Sequence, residues 1–290
     1  MSSEKESGQM LKYGANAFIW IDDWTTEKGD FAIAEAGKTG FDFIEIPLMR
    51  PWDFDPKPHI EALKNAGIGA TASVILPEDA HMPTHPERAK EYLLAVLKKL
   101  DAVGGTYLCG CIAFAGGVFT GHPPTEHERQ IVIDTLGEVA LDAKKRGITV
   151  GLECVNRYET YIYNVLEDAY ATIKAVNLEN FELHADTYHM NIEENNFYDP
   201  IVKCADVLGY LHMSENHRGL IGTGTVNWDE LFKGLAVAQF SGPLVLESFS
   251  ENNPDLIAAI RLWRPPQESS DYLAREGLKF LQDMSTKYGL

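Results

Sequence analysis

The sequence is short of positive charge. Its 290 residues hold 25 Lys and Arg against 43 Asp and Glu, a formal net charge of −18. Nucleic acids and anionic membranes are bound mainly through Lys and Arg. No basic cluster interrupts the deficit, so neither is expected as a partner. Long hydrophobic runs are missing as well: nothing approaches the ~20 apolar residues of a membrane span. The first nine residues, MSSEKESGQ, lack the apolar core of a signal peptide and are expected to be a disordered extension ahead of a single domain over 10–290. Cysteine is sparse. Cys109, Cys111, Cys154 and Cys204 form no C-x-x-C pair, and three lie in apolar strand-like runs, where a buried free thiol is the default. This usage predicts a reducing, cytoplasmic location. No G-x-G-x-x-G turn follows the first apolar run, which argues against an open dinucleotide-binding sheet. The stretch 219–224 (GLIGTG) has no following Lys and no Walker pattern, so it reads as a tight loop rather than a phosphate cradle.

What is present is a repeating alternation. Hydrophobic content of 45% and aromatic content of 10% suffice for a packed core. Strand-like runs are expected at Lys12–Trp20, Phe41–Leu48, Ala70–Leu76, Thr106–Phe114, up to Glu153, at Phe181–Thr187, Gly209–Ser214 and Pro243–Phe249. Helical patterns fall between them. Pro86–Val103 carries Ala89, Leu93, Val96, Leu97 and Leu100 on one face and stops at Gly104-Gly105. Thr125 with Glu128 three residues on is a capping-box signature. Further helices are expected at Asp30–Thr39, Pro58–Asn65, Val165–Val176, Pro200–Asp206, after Asn227, at Leu256–Trp263 and at Tyr272–Thr286. Eight strands alternating with helices in a chain of this length predict an α/β fold, a single (β/α)8 TIM barrel.

Glu153 interrupts the buried run Thr149–Leu152 and is followed by Asn156, Arg157, Tyr158 and Glu159. A carboxylate at the end of a buried strand is costly unless it meets a cation or several donors. An ion pair with Arg157 is the structural alternative. Three later strands favour chemistry: Asp186, His212 and Glu247 end the sixth, seventh and eighth runs, at successive spacings of 33, 26 and 35 residues. A barrel spends roughly 31 residues on each βα unit, so all four side chains are expected at the carboxyl-terminal rim, where active sites of this fold lie. Three carboxylates and an imidazole cannot converge in ionised form without a cation among them. The oxygen-rich set suits Mn²⁺, Co²⁺ or Mg²⁺ better than structural zinc. His184, two residues before Asp186, faces the same way one layer deeper and is expected as a core or supporting histidine, not a ligand.

The segments LECVNRYET, HADTYHMNIEE, LHMSENHRGLIGTG and VLESFS, with GFDFIEIPL near the start, resemble in order and spacing the ketose 3-epimerases, the D-tagatose and D-psicose (D-allulose) 3-epimerases of the xylose isomerase-like barrel superfamily. The resemblance covers nearly the whole chain. It implies that Glu153, Asp186, His212 and Glu247 bind Mn²⁺ or Co²⁺, with Mn²⁺ the first expectation. It also implies that Glu159, His189 and Arg218 hold the oxygens of the first three substrate carbons. A free ketose is the implied substrate, and a homodimer or homotetramer the implied assembly. Ser214 and Asn216 depart from the Gly and Ser of the family pattern. Pro265-Pro266 stands where helix is expected, and Phe114–Pro124 matches no family segment.

Inverting C3 requires its hydrogen to leave from one face and return on the other. A divalent ion can stabilise the resulting enediolate as a Lewis acid. Glu153 and Glu247 are the expected catalytic pair, exchanging acid and base roles. Trp20, Phe114 and Phe249 are candidate walls for the far end of the sugar. Related barrels that isomerise or dehydrate sugars, or cleave C-glycosides of keto sugars, share such a centre and form the alternative reading; the charge argues against a nucleolytic one.

Overall fold

The computed structural model describes residues 11–249, 257–258, 260–264 and 267–290. The polar segment 1–9 and Pro265-Pro266 lie outside these residues. Eight strands, nearly all buried on both faces as parallel strands must be, close into a barrel in sequence order. They are β1 (Lys12–Asn16), β2 (Phe43–Pro47), β3 (Gly69–Leu76), β4 (Tyr107–Ala115), β5 (Thr149–Glu153), β6 (Phe181–Asp186), β7 (Leu208–Met213) and β8 (Pro243–Leu246), with β8 pairing back to β1. Around them pack α1 (Thr26–Thr39), α2 (Pro56–Ala66), α3 (Pro86–Ala102), α4 (Glu126–Lys145), α5 (Leu166–Val176), α6 (Thr187–Glu193), α7 (Asp199–Lys203), α8 (Trp228–Val237) and α9 (Ser270–Tyr288).

Local chemistry sets the boundaries. The apolar stripe of α3 is fully buried, and the Thr125–Glu128 capping box forms at the start of α4. The first strand stops at Asn16 rather than running to Trp20, because the Asn16 side chain accepts from Phe18 N (2.9 Å) and turns Ala17–Ile19 into a 3₁₀ segment. Helix α1 starts four residues earlier than periodicity indicates, since Thr25 caps Lys28 N. Strand β8 ends at Leu246, which leaves Glu247 just past the ladder. Of the helix expected at Leu256–Trp263, residues 257, 258 and 260 are helical, while 256 and 259 lie outside the described residues.

Two cores result. The larger lies between strands and helices. The smaller fills the barrel interior with Phe43, Tyr107, Cys109, Tyr210 and Val245, and the Tyr107 and Tyr210 rings stack with centroids 4.5 Å apart. Glycine makes room for this floor: a Cβ on Gly14 would stand 2.2 Å from the Phe43 ring, and one on Gly151 2.7 Å from Tyr107. Above the floor the register is staggered. Glu153 pairs with His184, Asp186 with His212, and His212 with Val245. The offset of two residues at β5–β6 and again at β7–β8 is what strand tilt in a barrel demands, and it brings residues 153, 186, 212 and 247 to one level.

Candidate metal centre and active site

His212 is the middle of the constellation. Its Nδ1 lies 3.7 Å from Glu153 Oε1 and 3.5 Å from Glu247 Oε1 and has no hydrogen-bond partner. Glu153, Asp186, His212 and Glu247 are all buried, and ligand atoms of Asp186, His212 and Glu247 lie within 4.8 Å of one another. A buried imidazole nitrogen without a partner, ringed by carboxylate oxygens, fits a divalent cation. The electrostatics agree. Burial pushes the Glu153 carboxyl up against the pull of His212, and pushes Asp186 well up against the pull of Arg218. Burial lowers His212, but the charges of Glu45 and Glu247 outweigh it and raise the imidazole well above its ordinary range. A cation at Nδ1 would take the place of that proton and relieve the crowded acids.

Asp186 has a second task. It ends β6 and caps α6, accepting from Tyr188 N at 2.7 Å. The helix that follows directly has no counterpart in the sequence reading, because seven residues are too few to show a period. It aims His189 inward. His189 Nδ1 accepts from Asn156 N (3.1 Å) and Asn156 Nδ2 (2.8 Å), so the ring proton sits on Nε2, 3.3 Å from Asp186 Oδ2 and facing the centre. Asn156 also donates to Glu159 Oε1 (2.8 Å), tying Glu159 to the same cluster. Burial raises the Glu159 carboxyl, opposed by Arg218.

Arg218 is buried with its Nη1 on Glu247 Oε2, on Ser214 Oγ (3.0 Å) and on Asp186 Oδ2 (3.3 Å). Its guanidinium lies 3.6 Å from the Tyr188 ring centroid, a stacked geometry that Lys cannot reproduce. Its φ of 60° is left-handed, unusual for a side-chain-bearing residue, and the loop holds it there. Glu215, fully buried, accepts from Asn216 N (3.1 Å), Val226 N (3.1 Å), Gly222 N (2.9 Å) and Trp228 Nε1 (3.0 Å). Gly219–Gly224 is therefore part of a loop folded over a carboxylate, with Gly222 N engaged by Glu215 and Gly219 N by His217 Nδ1 (3.1 Å). His217 points outward, its Nε2 on Thr223 Oγ1 (3.1 Å).

The structure thus brings together all seven residues singled out in the sequence: Glu153, Glu159, Asp186, His189, His212, Arg218 and Glu247. Arg157 is not the partner of Glu153; it pairs with Glu193 at 2.8 Å. His184 is fully buried with both ring nitrogens unpartnered, Nδ1 3.8 Å from Glu153 Oε2 and its ring centroid 4.2 Å from that of His212. Among the candidate walls, Phe249 stacks on Phe18 (5.9 Å) and borders Arg218. Trp20 instead packs edge-on to Phe41, and Phe114 is fully buried in the outer core. Glu45 on β2 was not anticipated, although a lone acid inside the apolar run FIEIP is a signal, because an unpaired acid is almost never fully buried. It meets His212 from below.

Comparison with known proteins gives a consistent picture. The family model described as Xylose isomerase-like TIM barrel matches residues 33–284. An L-ribulose 3-epimerase of Methylomonas sp. (strain DH-1) is 37% identical over 278 residues, covering 94% of this chain and 97% of that protein. A ketose 3-epimerase of Arthrobacter globiformis is 34% identical, covering 95% and 97%. Among solved structures, a D-allulose 3-epimerase from Methylomonas sp. in complex with D-allulose superposes with a TM-score of 0.91 at 36% identity, covering 95% of this chain and 98% of that one.

Proposed function

The chain belongs to the xylose isomerase-like TIM barrel family and, within it, to the ketose 3-epimerases, and from that premise we propose how its residues invert C3 of a free ketose of the D-fructose/D-psicose, D-tagatose/D-sorbose or L-ribulose type. The observation that carries the reading is the partnerless His212 Nδ1 between Glu153 and Glu247. Glu153, Asp186, His212 and Glu247 would hold the divalent cation, Mn²⁺ before Co²⁺ or Mg²⁺, because three carboxylates suit a hard ion while the imidazole nitrogen suits a transition metal. When bound, it supplies Lewis-acid stabilisation of negative charge developing on the substrate oxygens.

The remaining work falls to side chains. Glu153 and Glu247 are the proposed proton carriers, one for each face of C3. Their positions on either side of His212 Nδ1, at 3.7 Å and 3.5 Å, support this role. His189 Nε2–H would donate to O2, its tautomer fixed by Asn156. Arg218, stacked on Tyr188, and Glu159 would fix O1 and its neighbour and keep water away from the reacting carbon. All of these contacts grip the first three carbons, which ketoses share.

No helix among the described residues is long and apolar enough to cross a membrane. Four buried free cysteines support the reducing cytoplasm as the compartment. A homodimer or homotetramer is the proposed assembly, measurable by light scattering. The functional reading is tested by incubating Mn²⁺-loaded enzyme in deuterated buffer with fructose, psicose or L-ribulose. Deuterium at C3 and appearance of the C3 epimer are expected, both abolished by chelator and restored by Mn²⁺. Turnover in protein shown by elemental analysis to be free of metal would overturn it.

A further inference from the structure

Glu45 stands outside the group that faces the substrate, yet it is fully buried and every contact it makes is with a donor. Oε2 accepts from His212 Nε2 (2.8 Å), Tyr210 OH (2.7 Å) and Cys109 Sγ (3.2 Å), and Oε1 accepts from Asn16 Nδ2 (2.8 Å). Tyr210 OH in turn meets Thr71 Oγ1 at 2.9 Å. Three strands converge on this carboxylate from within the barrel: β1 through Asn16, β4 through Cys109, and β7 through Tyr210 and His212. Glu45 itself comes from β2. Burying a carboxylate is expensive unless its lone pairs are satisfied, and here they are. The trio Glu45, Cys109 and His212 has ligand-type atoms close together, but each is already spent in a hydrogen bond. It is a hydrogen-bond hub rather than a second cation site.

We propose that Glu45 is the positioning residue of the metal centre, accepting the Nε2 proton of His212 so that the ring can present only Nδ1, lone pair first, toward Glu153 and Glu247. An imidazole has two nitrogens and could turn either inward. The carboxylate on its far side settles the tautomer, fixes the ring plane and makes the exposed nitrogen a better donor to a metal. Because Tyr210 and Asn16 brace Glu45 in turn, the setting of His212 is transmitted from the barrel floor. The inference rests on His212 being a metal ligand.

The test compares wild-type apo-protein with Glu45→Gln. The amide keeps the size of the side chain but must aim N–H at one or more of the donors that Glu45 now accepts. Mn²⁺ affinity is read by calorimetry, folding by circular dichroism, and unfolding temperature in chelator. The expected result is a folded variant whose dissociation constant for Mn²⁺ rises about 10–100-fold, with a smaller rise in Tyr210→Phe, which leaves the Glu45–His212 bond in place. A purely structural role would lower the unfolding temperature of the apo-protein and leave the dissociation constant where it was; that outcome overturns the proposal. Should wild-type protein bind no divalent ion at all, the reading of the whole centre falls instead, and the two failures are distinguishable. Should Glu45→Gln not fold, nitrogen-15 spectra of His212 in wild-type enzyme loaded with diamagnetic Mg²⁺ decide. A hydrogen-bonded proton on Nε2 with an unprotonated Nδ1 is expected, and the opposite tautomer overturns the assignment.

Discussion

Glutamine at residue 153 or 247 keeps the shape of the side chain and one ligating oxygen but cannot accept a proton. If each glutamate serves one face of C3, either Glu153→Gln or Glu247→Gln should stop epimerisation, at a cost of about 10²–10⁴-fold or more. Each variant should still exchange the C3 hydrogen of the one epimer whose hydrogen faces the surviving glutamate. Deuterium wash-in measured for both epimers at saturating Mn²⁺ checks this, and the two variants are expected to prefer opposite epimers. Net epimerisation at the wild-type rate in either one defeats the assignment. At this scale the sequence was most legible where chemistry repeats with the fold: 153, 186, 212 and 247 announce themselves because each ends a strand run. Glu45 did not, because nothing recurs around it, and its meaning lies in partners 29 to 167 residues away. The tautomer of His189 was equally hidden, since it depends on Asn156, 33 residues earlier.

Among elements, the loop from Ser214 to Asn227 carries the strongest structural demand. Glu215 gathers four N–H donors and so holds Arg218 in its left-handed conformation. Glu215→Gln turns an N–H₂ group toward donors that the carboxylate now satisfies, at about 1–3 kcal/mol for each left unpaired. The expected phenotype is local. Amides of 216–226 should exchange faster with deuterated solvent while the barrel strands stay protected, and KM for the ketose should rise with little change in Mn²⁺ affinity, since none of the four proposed ligands lies in this loop. Uniform loss of protection across the strands would show instead that the loop is part of the global fold. Sequence patterns located this loop from its glycines but could not reveal that its amides turn inward onto a carboxylate. Helix α6 was likewise invisible, being short and started by Asp186, whose capping role is masked by its position at a strand end.

For the whole molecule, crowding three carboxylates and an imidazole beneath Arg218 opposes folding unless a cation joins them. Mn²⁺ at about a hundred times its dissociation constant should add about 2.7 kcal/mol, raising the melting temperature by about 5 °C in a chain of this size. Calorimetric melts with Mn²⁺ and with chelator measure this, and identical curves would mean that no ion binds the folded state preferentially. The barrel itself was legible because its strand–helix period survives along almost the entire chain; its closure and stagger depend on pairings between strands that no local pattern records. One consequence follows from the aromatic floor of Phe43, Tyr107 and Tyr210. Among the described residues that floor closes the barrel beneath Glu153 and Glu247, which leaves the carboxyl-terminal rim as the side from which either epimer would reach them. Arriving and departing sugars would then share that rim, so each epimer is expected to compete with the other for entry as a concentrated mixture nears its balance.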